Sequence, residues 1–257
     1  MTLSFAVRLA REAGTLLRGY QEKLTAADIR HKTSLRDLVT RADIEAERLI
    51  VARIRQEFPS HAILAEEEVK ERSWDRPTWL VDPLDGTINF VHGHPHYAVS
   101  IALYEEKKPR LGVVYNPAID ELFEAEAGGG ARRNGRAVRV TTEGELQNSL
   151  LATGFPYKRQ ELPNNNLANF TRLFLEARGI RRLGVASLDL AYVASGRFDG
   201  FWELHLQPYD VGAGALLVRE AGGTVTDFAG GDAWLETGEI LATNGRIQGQ
   251  IRAHLSA

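Results

Sequence analysis

Apolar residues near the start of the chain recur three or four positions apart: Ala6, Leu9, Ala10, Ala13, Leu16, Leu17 and Tyr20. That period predicts an amphipathic helix with one buried face. A second helix is predicted from Thr40, where Thr40 followed three residues later by Asp43 resembles a capping box. Ile44, Leu49, Ile50, Ile54 and Phe58 supply its apolar face, and Pro59 ends it. Short apolar or alternating runs then take over at Ala62–Ala65, Thr78–Val81, Tyr97–Tyr104, Leu111–Tyr115 and Glu121–Glu126. These read as strands, with Gly128-Gly129-Gly130 and Asn134-Gly135 as hairpin turns.

The pattern changes near residue 145. A strand at Leu150–Thr153 precedes a helix over Leu167–Arg178 and another over Ser187–Ser195. A strand at Phe198–Trp202 leads to a helix at Asp210–Ala221, and a strand at Glu239–Thr243 precedes a last short helix. Residues 1–145 therefore read as an α+β part with antiparallel hairpins, and residues 146–257 as an α/β part.

The 257 residues are ordinary globular material, 44% hydrophobic and 25% charged. The net charge of −3 speaks against a general nucleic-acid binder. With no cysteine, thiol nucleophiles, Cys-ligated zinc and iron–sulfur clusters are excluded. No apolar run approaches a membrane span, and Arg8, Arg11 and Glu12 interrupt any signal-peptide core. A cytoplasmic enzyme with no membrane or nucleic-acid partner is expected.

The chemistry concentrates where an apolar strand runs into Asp82-Pro83-Leu84-Asp85-Gly86-Thr87. Two carboxylates this close repel unless a cation lies between them, and hard oxygen donors suit Mg²⁺ or Mn²⁺. If Thr87 opens a helical turn, its amide and that of Gly86 face a ligand above, an arrangement suited to phosphate. Glu66-Glu67-Glu68 follows another short strand, with at least one of the three expected in solvent. Asp210 precedes a small-residue segment, Val211-Gly-Ala-Gly-Ala, that must pack closely against something. Thr40 and Asp43 lie at a helix start within possible reach of the site.

Taken together, these elements resemble the inositol monophosphatase family of Mg²⁺-dependent, lithium-sensitive sugar phosphatases. Trp79-Leu-Val-Asp-Pro-Leu-Asp-Gly-Thr-Ile-Asn-Phe resembles its first signature, and Tyr209-Asp210-Val-Gly-Ala-Gly with Glu220-Ala-Gly-Gly its second. Ala65-Glu66-Glu67 and Lys32-Thr-Ser34-Leu-Arg-Asp37-Leu-Val-Thr40-Arg-Ala-Asp43 match two further elements, in the family's order along nearly the whole chain. The resemblance implies a layered αβαβα sandwich, with two or three Mg²⁺ per site. Glu66, Asp82 and the Leu84 carbonyl would hold one metal, and Asp82, Asp85 and Asp210 a second. A weaker third would lie beside Glu66. Gly86 and Thr87 would present amides to the phosphate, and Thr87 backed by Asp43 would orient the attacking water. Asp85 and Glu203 would meet sugar hydroxyls, with the Gly184-Val185-Ala186-Ser187 loop along the substrate. Inositol 1-phosphate is the leading substrate, ahead of fructose 1,6-bisphosphate and histidinol phosphate. A homodimer is implied. A non-catalytic regulatory protein that retained the fold is the reading of another class.

The chain departs from the family pattern at Tyr209, which replaces Trp but keeps an aromatic, and at Val185, which lacks a hydroxyl. His92, His94 and His96 could face one side of a strand and bind zinc. More simply, His92 sits where the family commonly has a structural histidine, His94 and His96 read as turn residues, and Asn164-Asn165-Asn166 as a loop entering a helix.

Overall fold

The computed structural model describes residues 2–32, 37–71 and 73–256. Residues 33–36, inside the N-terminal motif region, lie outside the described residues. The first apolar period forms α1 (Thr2–Gln21), burying Ala6, Leu9, Ala10, Ala13 and Leu17. A two-stranded antiparallel ribbon, β1 (Ile29–His31) with β2 (Leu38–Thr40), leads into α2 (Arg41–Glu57). The capping box forms as expected. Thr40 Oγ1 accepts the Ala42 N–H (3.1 Å), and Asp43 Oδ2 accepts the Thr40 N–H (2.8 Å).

Seven strands follow: β3 (Ala62–Ala65), β4 (Thr78–Asp85), β5 (Ala98–Glu105), β6 (Lys108–Asn116), β7 (Glu121–Glu126), β8 (Gly130–Arg133) and β9 (Arg136–Ala137). They lie side by side in that order. β3 and β4 are parallel and every later pair is antiparallel. The one-turn helix α3 (Thr87–Val91) sits between β4 and β5. The second sheet holds β10 (Leu150–Thr153), β11 (Gly179–Arg181), β12 (Gly200–Glu203), β13 (Thr224–Thr226) and β14 (Ile240–Thr243), in the order β11-β10-β12-β14-β13. Interleaved with these strands are α4 (Leu167–Glu176), α5 (Ala186–Ala194), α6 (Pro208–Glu220), α7 (Trp234–Thr237) and α8 (Gln248–Arg252).

The layers follow from which faces are apolar. α1 and α2 bury Leu9, Leu17, Ile50 and Ile54 against Trp79, Val99 and Val113 of the large sheet. The sheet's other face, with Leu80, Ala102 and Val114, meets Leu190 of α5 and Leu216 and Leu217 of α6. The opposite side of that helical layer packs on Phe201 and Ala242 of the small sheet. Leu173 of α4 and Ile251 of α8 close the outside over Trp202 and Leu241. The result is an αβαβα stack. The small residues of α6 permit close approach: a Cβ on Gly212 would stand 2.6 Å from Leu80 Cδ1.

Two differences from the sequence-based expectations have physical causes. β4 runs past Val81 to Asp85 because a bulge between Asp82 and Asp85 absorbs Pro83 and Leu84 without ending the pairing with β5. β11 and β13 are three residues each with mixed burial, too short to show a period, and exist because a neighbouring strand supplies the ladder. The histidines lie in the turn after α3, in agreement with the turn reading of His94 and His96.

Candidate active site

The site grows from the bulged end of β4. Asp82 is 2% exposed, and its Oδ1 accepts the Leu84 N–H at 3.0 Å. Asp85 Oδ2 accepts the Ser187 N–H (2.8 Å) and Ser187 Oγ–H (2.7 Å), a bond pair spanning 102 residues that ties the large sheet to α5. Gly86 has φ of +93°, which favours glycine, and a Cβ there would stand 2.8 Å from Val185 Cγ2. Thr87 does open a helical turn. Its Oγ1 donates to Asp43 Oδ1 at 2.9 Å, while Thr40 donates its N–H (2.8 Å) and Oγ–H (2.6 Å) to the other Asp43 oxygen. The cap of α2 thus serves two purposes: it starts a helix and it presents Asp43 to Thr87.

Glu66 leaves the end of β3. The loop that follows is held by Glu47, which is 1% exposed on α2. Glu47 accepts three successive backbone amides, from Glu67 (2.5 Å), Glu68 (2.7 Å) and Val69 (2.9 Å). Lys32 Nζ donates to Glu66 Oε1 (2.8 Å) and Glu67 Oε1 (2.5 Å). Lys70 Nζ donates to the Ala65 and Glu66 carbonyls and lies over the Tyr209 ring. Glu68 points to solvent, where it pairs with Arg48.

These groups open on a cavity of about 480 Å³ between the large sheet and the C-terminal part. Glu66, Asp82, Leu84, Asp85, Gly86 and Thr87 line one side. Gly184, Ala186, Glu203, Tyr209 and Asp210 line the other, with Phe155, Tyr157, Lys158 and Arg182 nearer the rim. Asp210 lies in the first turn of α6, and its Oδ2 accepts the Gln207 N–H at 2.7 Å. Val185 is a correction to the expected substrate contacts. It is 0% exposed and packs behind Gly86, so the loop meets the cavity only through its neighbours Gly184 and Ala186. Asp43 does not line the cavity and reaches it through Thr87.

The electrostatics are those of a buried acid cluster. Burial lifts the Asp82 and Asp210 carboxyls well above the ordinary carboxylate range, and the charges of Glu66 and Asp85 lift them further. Burial raises Asp85 to about 6 against the lowering effect of its Ser187 bonds. It raises Asp43 to about 6 and Glu203 to about 8. Behind the wall, Asp189 is fully buried and its oxygens meet no donor among the described residues. Burial pushes its carboxyl well above the usual carboxylate range, and the charges of Glu203 and Asp85 push it further. Burial works to lower the Lys32 ammonium, but the Glu66 and Glu67 carboxylates outweigh it and hold the proton more tightly than in free lysine.

Among the described residues no three His, Asp or Glu side chains close on one point as a finished coordination sphere. The histidine turn provides none: His94 Nδ1 and His96 Nδ1 stand 3.2 Å apart near the surface, without a third ligand. The acids of the cavity do fit a divalent cation in chemistry. They are hard oxygen donors whose mutual repulsion is expressed in the raised carboxyls, and a cation relieves it. Sequence reading missed Glu47 and the rim residues Tyr157, Lys158 and Arg182, and it gave no hint that Ser187 would grip Asp85 or that Lys32 would pair with Glu66 and Glu67. Glu47 was detectable, since it follows Asp43 by one helical turn on the buried side of α2. The others are brought in by tertiary contacts with no local signature.

The chain as a whole has counterparts among known proteins. The model of the inositol monophosphatase family matches residues 1–257. The chain is 44% identical over 254 residues to Nus factor SuhB of Salmonella typhimurium, covering 98% of this chain and 95% of that protein. The inositol monophosphatase of Anabaena (Nostoc) sp. PCC 7120 superposes with a TM-score of 0.89 at 44% identity, covering 98% of this chain and 94% of that one. The Thermotoga maritima IMPase gives 0.89 at 38% identity, covering 98% and 96%. Full-length agreement in sequence and in the order of the layers leaves one assignment: the chain belongs to the inositol monophosphatase family and is a phosphoric monoester hydrolase of that fold.

Proposed function

We propose that this protein hydrolyses inositol 1-phosphate, or a closely similar small polyol or sugar phosphate, to the free alcohol and phosphate in a Mg²⁺-dependent reaction. The observation that supports it most is the meeting of Glu66, Asp82, Asp85 and Asp210 in one cavity beside the Thr87–Asp43 hydrogen bond. Glu66, Asp82, the Leu84 carbonyl, Asp85 and Asp210 are the groups that would hold Mg²⁺, with Mn²⁺ as a substitute. When bound, the metal supplies charge neutralisation for the phosphate and a more acidic water.

The chain's own residues have separate tasks. Thr87 commits its hydroxyl proton to Asp43, which leaves its oxygen free to accept a hydrogen bond from the attacking water. The backbone at Gly86 and Thr87 lies on the cavity wall, where amides meet phosphate oxygens without added charge. Glu203 is 8% exposed, lines the same cavity and is placed to accept hydrogen bonds from alcohol hydroxyls. Phosphate transfer depends mainly on charge neutralisation and positioning, so no Ser, Cys or His nucleophile is needed.

Among the described residues no helix is long and apolar enough to cross a membrane, and we place the protein in the cytoplasm. α4 leaves Leu167, Phe174 and Leu175 exposed, an apolar patch suited to a second copy in a homodimer. The name Nus factor carried by the Salmonella relative brings a binding role into view. The complete acid set argues for catalysis as well.

The test is phosphate release from inositol 1-phosphate, fructose 1,6-bisphosphate and histidinol phosphate, with and without Mg²⁺ and lithium. Mg²⁺-dependent, lithium-sensitive release fastest from inositol 1-phosphate is expected, and Asp82→Asn or Asp210→Asn removes it while the protein stays folded. Wild-type turnover in either variant, or activity restored by Zn²⁺ alone, would refute the mechanism.

A further inference from the structure

The carboxylate of Glu203 is unusual among the cavity acids. No hydrogen-bond donor among the described residues reaches it, so its own bonds do not set its direction. It lies directly over Gly154, where a Cβ would stand 2.1 and 2.2 Å from its two oxygens. Its aim therefore depends on where the backbone at 154 runs and on how the preceding residue, Trp202, is held.

Both are held by one side chain. Asn166 Nδ2 donates to the Gly154 carbonyl (2.6 Å) and to Thr153 Oγ1 (2.9 Å), and Asn166 Oδ1 accepts from Trp202 Nε1 (2.9 Å). Thr153 Oγ1 donates in turn to the Trp202 carbonyl (2.6 Å), closing a network between the ends of β10 and β12. An asparagine at a helix start ordinarily caps it. Asn166 makes no cap bond although it precedes α4; its neighbour Asn165 accepts the Leu167 N–H instead (3.2 Å). Asn166 is 1% exposed and adopts φ of +73°, a backbone state asparagine tolerates better than most residues. Only a planar primary amide at this reach supplies two donors and one acceptor at once, which aspartate does not.

We propose that Asn166 is a positioning residue for substrate selectivity. It aims Glu203, and with it the Gly154–Lys158 wall, at the hydroxyls of a polyhydroxylated phosphomonoester without touching the substrate. The proposal rests on the reading that Glu203 meets substrate hydroxyls.

The experiment compares inositol 1-phosphate with p-nitrophenyl phosphate, which has no alcohol hydroxyls, in the full-length protein with Mg²⁺. Asn166→Gly keeps the positive φ and removes the amide. KM for inositol 1-phosphate is expected to rise roughly tenfold, within the range of one or two lost hydrogen bonds, with kcat within about twofold. The ratio of kcat/KM between the two esters falls to match. Adding Glu203→Gln on top of Asn166→Gly costs less selectivity than Glu203→Gln alone, because the two act through one contact. Should Asn166→Gly fail to fold, Thr153→Val removes one arm of the same network at constant volume and is expected to move selectivity the same way. Parallel losses for both esters, or additive losses in the double variant, would overturn the proposal and leave Asn166 a structural residue. A wild type that handles both esters with equal kcat/KM would instead refute the Glu203 reading, and the proposal with it.

Discussion

Replacing Glu47 by glutamine tests whether the metal-side loop is set by buried hydrogen bonds. Glu47 Oε2 takes the Glu67 amide at 2.5 Å, and Oε1 takes the Glu68 and Val69 amides at 2.7 and 2.9 Å. Glutamine keeps one oxygen. If that oxygen takes the Oε1 place, two bonds survive at neutral strength and the new NH₂ faces the Glu67 N–H, donor against donor. One charge-assisted bond is then lost, about 1.5–3 kcal/mol, and the two survivors weaken. A total of about 3 kcal/mol follows, and at about 2–4 °C per kcal/mol for a chain of this size Tm drops by roughly 6–12 °C. Glu66 precedes the first of the three amides, so the loosened loop also spreads the metal side. Groups that support metal ligands typically change affinity 10- to 100-fold, and roughly tenfold weaker Mg²⁺ binding is expected. The assays are thermal melting in EDTA and calorimetric titration with Mg²⁺. Glu47→Asp is the control, since it keeps the charge but is too short to reach all three amides, and it too should bind Mg²⁺ weakly. A Glu47→Asp protein with wild-type affinity would show that only the charge matters, and unchanged Mg²⁺ affinity in Glu47→Gln would refute the loop argument.

Two further outcomes are expected. In EDTA, stability should fall as pH rises from about 5 to 8, because Asp43 and Asp85 (about 6) and Glu203 (about 8) sit above their ordinary values of 3.8 and 4.5. Such groups bind protons more tightly folded than unfolded, so their contribution is complete below about pH 4 and is lost through the folded values; Asp43 alone amounts to about 3 kcal/mol. Mg²⁺ should flatten the dependence, and a Tm in EDTA that climbs over this range would contradict the burial argument. Gly86→Ala combines a φ of +93° with a Cβ 2.8 Å from Val185 Cγ2, a strain of about 1–3 kcal/mol. Its kcat should drop severalfold or more, with partial recovery on adding Val185→Ala, which relieves the clash but not the φ; full recovery would show that the backbone state costs nothing.

The parts of the fold legible in the sequence were those with a local cause. The α1 stripe, the Thr40–Asp43 cap, the β3 run Ala62–Ala65 and the Asn134-Gly135 turn each carry their signal within a few residues. β11 and β13 carry none, since three residues of mixed burial become strands only beside a neighbour. The alternation of His92, His94 and His96 could also have fitted one face of a strand, but the α3 turn ahead of them keeps the segment outside the ladder, as the turn reading had it. Val185 aligned with a substrate loop, yet it fills the space that Gly86 leaves empty.

By itself, the sequence determined the acid pair at the end of β4, the helical turn at Thr87 and the carboxylate at the start of α2, because each follows from residue type and spacing over a single turn or strand. Only the tertiary structure decided that Ser187 would grip Asp85 across 102 residues and that Thr87 would reach Asp43 across 44. It also decided that Glu47 would be aimed at three amides and Asn166 turned inward instead of capping its helix. Such contacts form when layers pack and distant loops close. Their partners share no period and no fixed spacing along the chain, so they become visible only when the two sheets and the helices between them are in place.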